Sequence, residues 1–171
     1  MLHNDLIEQA DHLARREPKR PRQASLRRAV SAAYYAMFHT LVTDATALLV
    51  PGRPSGLRLQ ARRAFSHRDM RSACEAFVTQ AAPAARDRRN PQQLLTLPLE
   101  PEIREIAETF VKLQDARHDA DYNLAQQFDR MRVLAVIQRA KQAIASWKRV
   151  QTQPNAQVFL TALVLQNRWR R

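Results

Sequence analysis

Four residues within six positions carry the side chains of acid–base and phosphate chemistry. They are Arg117, His118, Asp121 and Tyr122, in the stretch ARHDADYN (116–123). On a helix Arg117 faces Asp121 and His118 faces Tyr122, because residues four apart are neighbours. An arginine stays charged at any ordinary pH and grips a phosphate through two parallel N–H donors. A histidine moves protons near neutrality. A tyrosine donates a hydrogen bond or stacks on a base, and an aspartate orients the Arg or the His. Such a kit suits cleavage of RNA, where attack by a 2′-OH needs a base, an acid and a cation on the phosphate. It equally suits a structural role, with an internal Arg117–Asp121 pair fixing helix register and His118 turned to solvent.

A second group lies upstream. Arg62, Arg63, His67 and Arg68 are the candidate nucleic-acid-binding set, and Arg62 and His67 in RRAFSH have four residues between them. His39 follows Tyr35 by four on another helix. Each of these histidines, beside a core face, reads first as a structural group. His3 and His12 have no partner pattern. There is no H-x-x-x-H and no paired cysteine, so no metal site is expected. Without a Gly-rich phosphate loop or a G-x-S-x-G elbow, no cofactor is expected either.

Helical periodicity must position these groups. The stripe Ile103, Ile106, Phe110, Leu113, Arg117, Ala120 and Leu124 keeps a 3-4-3-4-3-4 spacing. It therefore carries Arg117 in a core-facing register, one turn beyond Leu113. Pro101 suits the first turn of that helix, with Glu102, Glu105 and Glu108 near its positive end. Upstream, Leu2, Leu6, Ala10 and Leu13 mark a helix over 2–16, and EPKRPRQ (17–23) breaks it. Ser25 is placed to cap a long helix over 26–50. That helix is apolar on so much of its surface that it belongs at the centre of a bundle. PGRPSG (51–56) is a turn. Residues 57–81 read as helix in one or two pieces, with Phe65, Met70, Cys74, Phe77 and Val78 inward. Residues 83–101 read as an irregular, proline-rich connection, and 128–151 as the last major helix, striped by Val133, Ile137, Ala140, Ile144 and Trp147. The fold class is all-α, an antiparallel bundle of four to five main helices. Residues 1–153 are expected to form the bundle, and 154–171 an apolar then basic C-terminal extension with an extra helix.

The chain has 171 residues and a formal net charge of +12. Lysine occurs only at 19, 112, 141 and 148, so the charge is mostly arginine. Three basic groups stand out: Arg15, Arg16, Lys19, Arg20, Arg22, Arg27 and Arg28; Arg53, Arg58, Arg62, Arg63, Arg68 and Arg71; and Arg86, Arg88 and Arg89. Nucleic acid is the first partner this charge suggests and a membrane surface the second. Cys74 is the single cysteine, so no internal disulfide forms. No apolar run is long enough to span a membrane, and the amphipathic N-terminus lacks a signal-peptide core. A cytoplasmic protein is expected.

Three motifs in order, RRAVSAAYYAMFHTLVTDATALL (27–49), FSHRDMRSACEAFV (65–78) and RHDADY (117–122), resemble the HEPN family. The likeness is to a bacterial branch with an A-Y-Y-A-M-F helix and a closing R-x-x-A-D-Y, and it covers about residues 2–150. It implies a homodimeric helical bundle whose motif helices meet near a shared cleft. It also implies action on or near RNA, in many members as a metal-independent RNase of toxin or defence type. A partner antitoxin or nucleotidyltransferase is part of the same implication. The family's active motif sets four to six residues between its Arg and its His; here His118 follows Arg117 at once and Asp121 stands four on. Arg117 and Tyr122 match that motif in kind; if the chain cleaves, Arg117 is expected to hold the phosphate, His118 to carry the proton, Asp121 to orient Arg117 or His118, and Tyr122 to contact substrate or accept a modifying group from a partner enzyme. The alternative is a non-catalytic HEPN module that binds nucleic acid or a partner protein.

Overall fold

A computed structural model describes residues 1–52, 55–79 and 91–169 of the chain. Among them are seven α-helices and no strand: α1 (Leu2–Arg15), α2 (Gln23–Leu49), α3 (Ser55–Arg62), α4 (His67–Thr79), α5 (Pro101–Tyr122), α6 (Arg130–Val150) and α7 (Pro154–Trp169), with a 3₁₀ turn over Pro91–Leu94. The all-α expectation holds. The basic residues Arg53, Arg86, Arg88 and Arg89 lie outside the described residues.

Contacts gather the chain into two compact units, Met1–Thr40 with Thr109–Ala145, and Leu41–Glu108 with Ser146–Arg171. In the first unit, α2 buries Leu26, Val30, Ala33, Tyr34 and Met37, and α5 buries Phe110, Leu113 and Ala120. The expected stripe of α6 is buried through Val133, Ile137 and Ala140. Leu124 departs from its stripe. The helix stops at Tyr122, so the 3-4 register no longer points Leu124 inward and it is 83% exposed. Leu2, in the first turn of α1, is also exposed.

Side chains fix the helix ends of this unit. Arg27 gives both terminal nitrogens to the end of α5: Nη1 donates to the carbonyls of Asp119 (3.3 Å) and Ala120 (2.8 Å), Nη2 to those of Asn123 (3.0 Å) and Gln126 (2.6 Å). A cation there satisfies orphan carbonyls and complements the helix dipole. Arg27 is thus removed from the basic surface group. Asp129 caps α6 by accepting the Arg132 amide at 2.8 Å. Ser25 does not cap α2. The helix starts two residues earlier, where the Gln23 amide pairs both ways with the Phe128 backbone (2.7 and 3.0 Å), and the Ser25 hydroxyl donates to Glu17 Oε1 at 2.9 Å.

The second unit is built on aromatic packing. Phe159 of α7 meets Phe77 of α4 edge-on, with ring centroids 5.0 Å apart, and Trp147 of α6 at 5.9 Å. All three rings are buried. The indole N–H of Trp147 donates to Asp44 Oδ2 at 2.7 Å, so burial leaves no orphan donor. The extra C-terminal helix, α7, packs on α4 and on the 3₁₀ turn, and buries Ala156, Phe159, Leu160, Ala162 and Leu163. Buried Asn155 ties its first turn down, accepting the Thr96 amide (2.8 Å) and donating to the Thr96 carbonyl (2.7 Å) and Glu100 (2.8 Å). The segment read as one or two helical pieces is two. Ser66, after Phe65, caps α4 through the Asp69 amide at 3.0 Å.

Cys74 is buried on α4. Burial, reinforced by Glu75, pushes its thiol well above the usual range, and Arg71 only partly offsets this. The thiolate is the reactive form. In the folded protein Cys74 will therefore resist Ellman's reagent, and will label fully once denaturant is added. Fast labelling without denaturant would contradict the packing of α4.

Candidate functional site

The register of α5 delivers Arg117 to the core face of the first unit, one turn beyond buried Leu113. Its side chain is only 18% exposed. A guanidinium at such a place needs partners, and it has several. Nε lies 2.7 Å from Asp121 Oδ2, as an ion pair rather than an aligned hydrogen bond. Nη2 donates a long hydrogen bond of 3.4 Å to the Tyr35 hydroxyl. Three tyrosine rings surround the cation, with centroids 6.0 Å (Tyr34), 5.7 Å (Tyr35) and 5.6 Å (Tyr122) from Cζ. Burial pulls the guanidinium pKa down, but Tyr35, Asp121, Tyr122 and Tyr34 more than offset it and hold it above the ordinary value. Arg117 stays charged.

Asp121 works for Arg117 and not for His118. Its second oxygen, Oδ1, accepts the Ser31 hydroxyl at 2.7 Å, and its side chain is 22% exposed. A carboxylate held on both oxygens has a fixed orientation, which in turn fixes the guanidinium. The i,i+4 geometry read from the sequence is present.

His118 stands outside this network, and Tyr122 lies on its outer edge. His118 is exposed, its ring 5.1 Å from that of Tyr122 and tilted by 48°. Tyr122 is 63% exposed, touching Arg117 and His118 while facing water. The four sequence candidates thus divide into an anchored pair, Arg117 and Asp121, and an outward pair, His118 and Tyr122.

Sequence reasoning assigned no site role to Ser31, Tyr34 or Tyr35. All three come from α2, Tyr34 as a member of the buried stripe. The signal was the spacing of Ser31 and Tyr35, four apart on the row beside that stripe. The row runs on to His39, whose ring stacks with Tyr35 at 6.1 Å and 27°.

Arg62, Arg63, His67 and Arg68 belong to the second unit, at the end of α3 and the start of α4. Arg62, Arg63 and Arg68 are exposed and His67 is half-buried. Arg63 donates to Gln60 at 3.3 Å. Among the described residues, no three His, Cys, Asp or Glu side chains gather to hold a metal ion. No described helix is long and apolar enough to cross a membrane.

No family model matches the chain, and neither the curated proteins nor the solved structures contain a significant match. The site stands on its own geometry.

Chemically, that geometry is an anchor beside an open pair. The donor fork of Arg117 points into Asp121 and Tyr35, and its faces are covered by rings. The edge formed by Nε and Nη2 is thereby taken up inside the protein. The exposed imidazole and phenol of His118 and Tyr122 are open to a proton or a base.

Proposed function

We propose that this chain is a HEPN-like module that binds RNA without cutting it, with Arg117 as the internal cation that sets the geometry of its motif helix. One observation carries the reading: the side chain of Arg117 is four-fifths covered, and its guanidinium already contacts Asp121 and Tyr35. A phosphate-gripping arginine must offer its fork to substrate. The net charge of +12, mostly arginine, supplies the general attraction to a polyanion. The resemblance adds a homodimer and an association with an antitoxin or nucleotidyltransferase partner to this reading.

A second reading is favoured by a different observation. His118 lies exposed against exposed Tyr122, one residue beyond Arg117. In a metal-independent RNase of the toxin or defence type, that imidazole would carry the proton while Tyr122 stacks on a base.

The two readings separate in a single assay. Full-length protein is incubated with a mixed RNA pool in chelator, beside His118→Ala and Arg117→Met variants checked by circular dichroism. Intact RNA with every protein is the expected result. Wild-type cleavage that vanishes in folded His118→Ala would replace the binding module with the RNase.

A further inference from the structure

The bend between α1 and α2 carries Arg15, Arg16, Lys19, Arg20 and Arg22, five cations in eight residues, and all five are exposed. Clusters of this kind are usually neutralised by interleaved acids or blurred by a floppy backbone. Here a single acid offsets one of the five charges, and the backbone is held. Glu17, the one acid among them, is turned inward and held on both oxygens: Oε1 accepts the Ser25 hydroxyl at 2.9 Å and Oε2 the Arg22 amide at 3.3 Å. Arg16 reaches it only loosely, at 3.9 Å. The Arg22 contact closes residues 17–22 into a loop that contains Lys19 and Arg20.

A buried-side clamp holds the bend from below. Arg130 of α6 donates through Nε to the Ala14 carbonyl (3.1 Å), through Nη1 to the Pro18 carbonyl (2.9 Å), and through Nη2 to the Glu17 carbonyl. Pro18 and Pro21 stiffen the same backbone further. Nearby acids are engaged elsewhere: Asp11 pairs with Lys141, and Asp129 caps α6.

We propose that this clamped knuckle, Arg15–Arg22, is a docking site for the phosphodiester backbone of RNA, separate from the Arg117 network. It rests on the RNA-binding reading above and gives that reading a place. Cations held in advance on a fixed backbone lose less freedom on binding than cations on a mobile tail. Arginine predominates, and its planar fork matches phosphate. The bend carries no Trp, Phe, Leu or Ile, the residues by which a basic surface segment enters a lipid interface. That favours nucleic acid over membrane.

The test is fluorescence anisotropy of a labelled single-stranded RNA with full-length protein across a salt series. Two charge-matched variants are compared, both checked by circular dichroism: Lys19→Gln/Arg20→Gln/Arg22→Gln in the knuckle, and Arg104→Gln/Arg139→Gln/Lys148→Gln elsewhere on exposed helix faces. The knuckle variant is expected to lose affinity about ten-fold or more relative to the control variant. Its log–log salt slope is expected to fall by about 2, for roughly three lost phosphate contacts to a single strand. Wild-type binding that is equally strong in both variants would overturn the knuckle and leave the RNA-binding reading standing. Absence of wild-type binding would overturn that reading itself. Loss of binding to phosphatidylglycerol vesicles, with RNA affinity unchanged, would assign the knuckle to a lipid surface and overturn the proposal.

Discussion

Arg117→Met will cost the fold about 3 kcal/mol, read as a drop in the urea midpoint at constant slope. The figure is the lower end for removing one partner of a buried ion pair, because Arg117 and Asp121 are each about one-fifth exposed. The loss has an identifiable origin. Asp121 keeps its Ser31 hydroxyl but is left as a covered carboxylate with no cation, and Tyr35 loses the guanidinium as donor. Asp121→Asn removes the same ion pair from the other side and will destabilise by a similar amount. The double variant should be much less destabilised than the sum, with a coupling of about 2 kcal/mol, since neither charge is then stranded. Strict additivity would mean that the 2.7 Å contact between the two contributes nothing.

Phe159→Ala, on α7, will cost about 4 kcal/mol and lower the melting temperature by about 10 °C. Phe159 is fully buried and its ring is gripped edge-on by Phe77 and tilted against Trp147. The neighbours are helix-borne rings that cannot collapse far, which places the effect high in the range for aromatic truncation. Thermal melting by circular dichroism reads it directly. A shift of about a degree would mean that residues 154–169 are an appendage after all, and the packing of α7 on α4 would have to be abandoned.

These two sites also show what the sequence made legible. The 3-4 stripe of α5 located Arg117 on the core face from spacing alone, and the i,i+4 rule paired it with Asp121. Both statements are local, involving residues a turn or two apart. The tyrosine cage is not local. Tyr35 lies 82 positions from Arg117 and Ser31 lies 90 from Asp121, so their meeting depends on which helix packs where. Composition misled in two ways. Arg27 was grouped with a basic surface because an arginine reads as charge, yet its four carbonyl contacts make it the cap of α5. Pro154 reads as the stop of the preceding helix. That proline instead opens α7, where its missing N–H costs nothing. Ser25 shows the same limit at a cap. A serine before an apolar run is a start signal, but the Gln23–Phe128 amide pair fixes the start two residues earlier.

The central claim is that Arg117 holds the protein and not the RNA. The affinity of the folded Arg117→Met/Asp121→Asn double variant for labelled RNA, set beside wild type at one salt concentration, tests it most directly. That variant removes the guanidinium without stranding its partner, so binding is read on an intact fold. Affinity within about two-fold of wild type, a free-energy change under about 0.5 kcal/mol, is the result this account requires. A loss of ten-fold or more with a native circular dichroism spectrum would contradict it, and would place Arg117 on the phosphate.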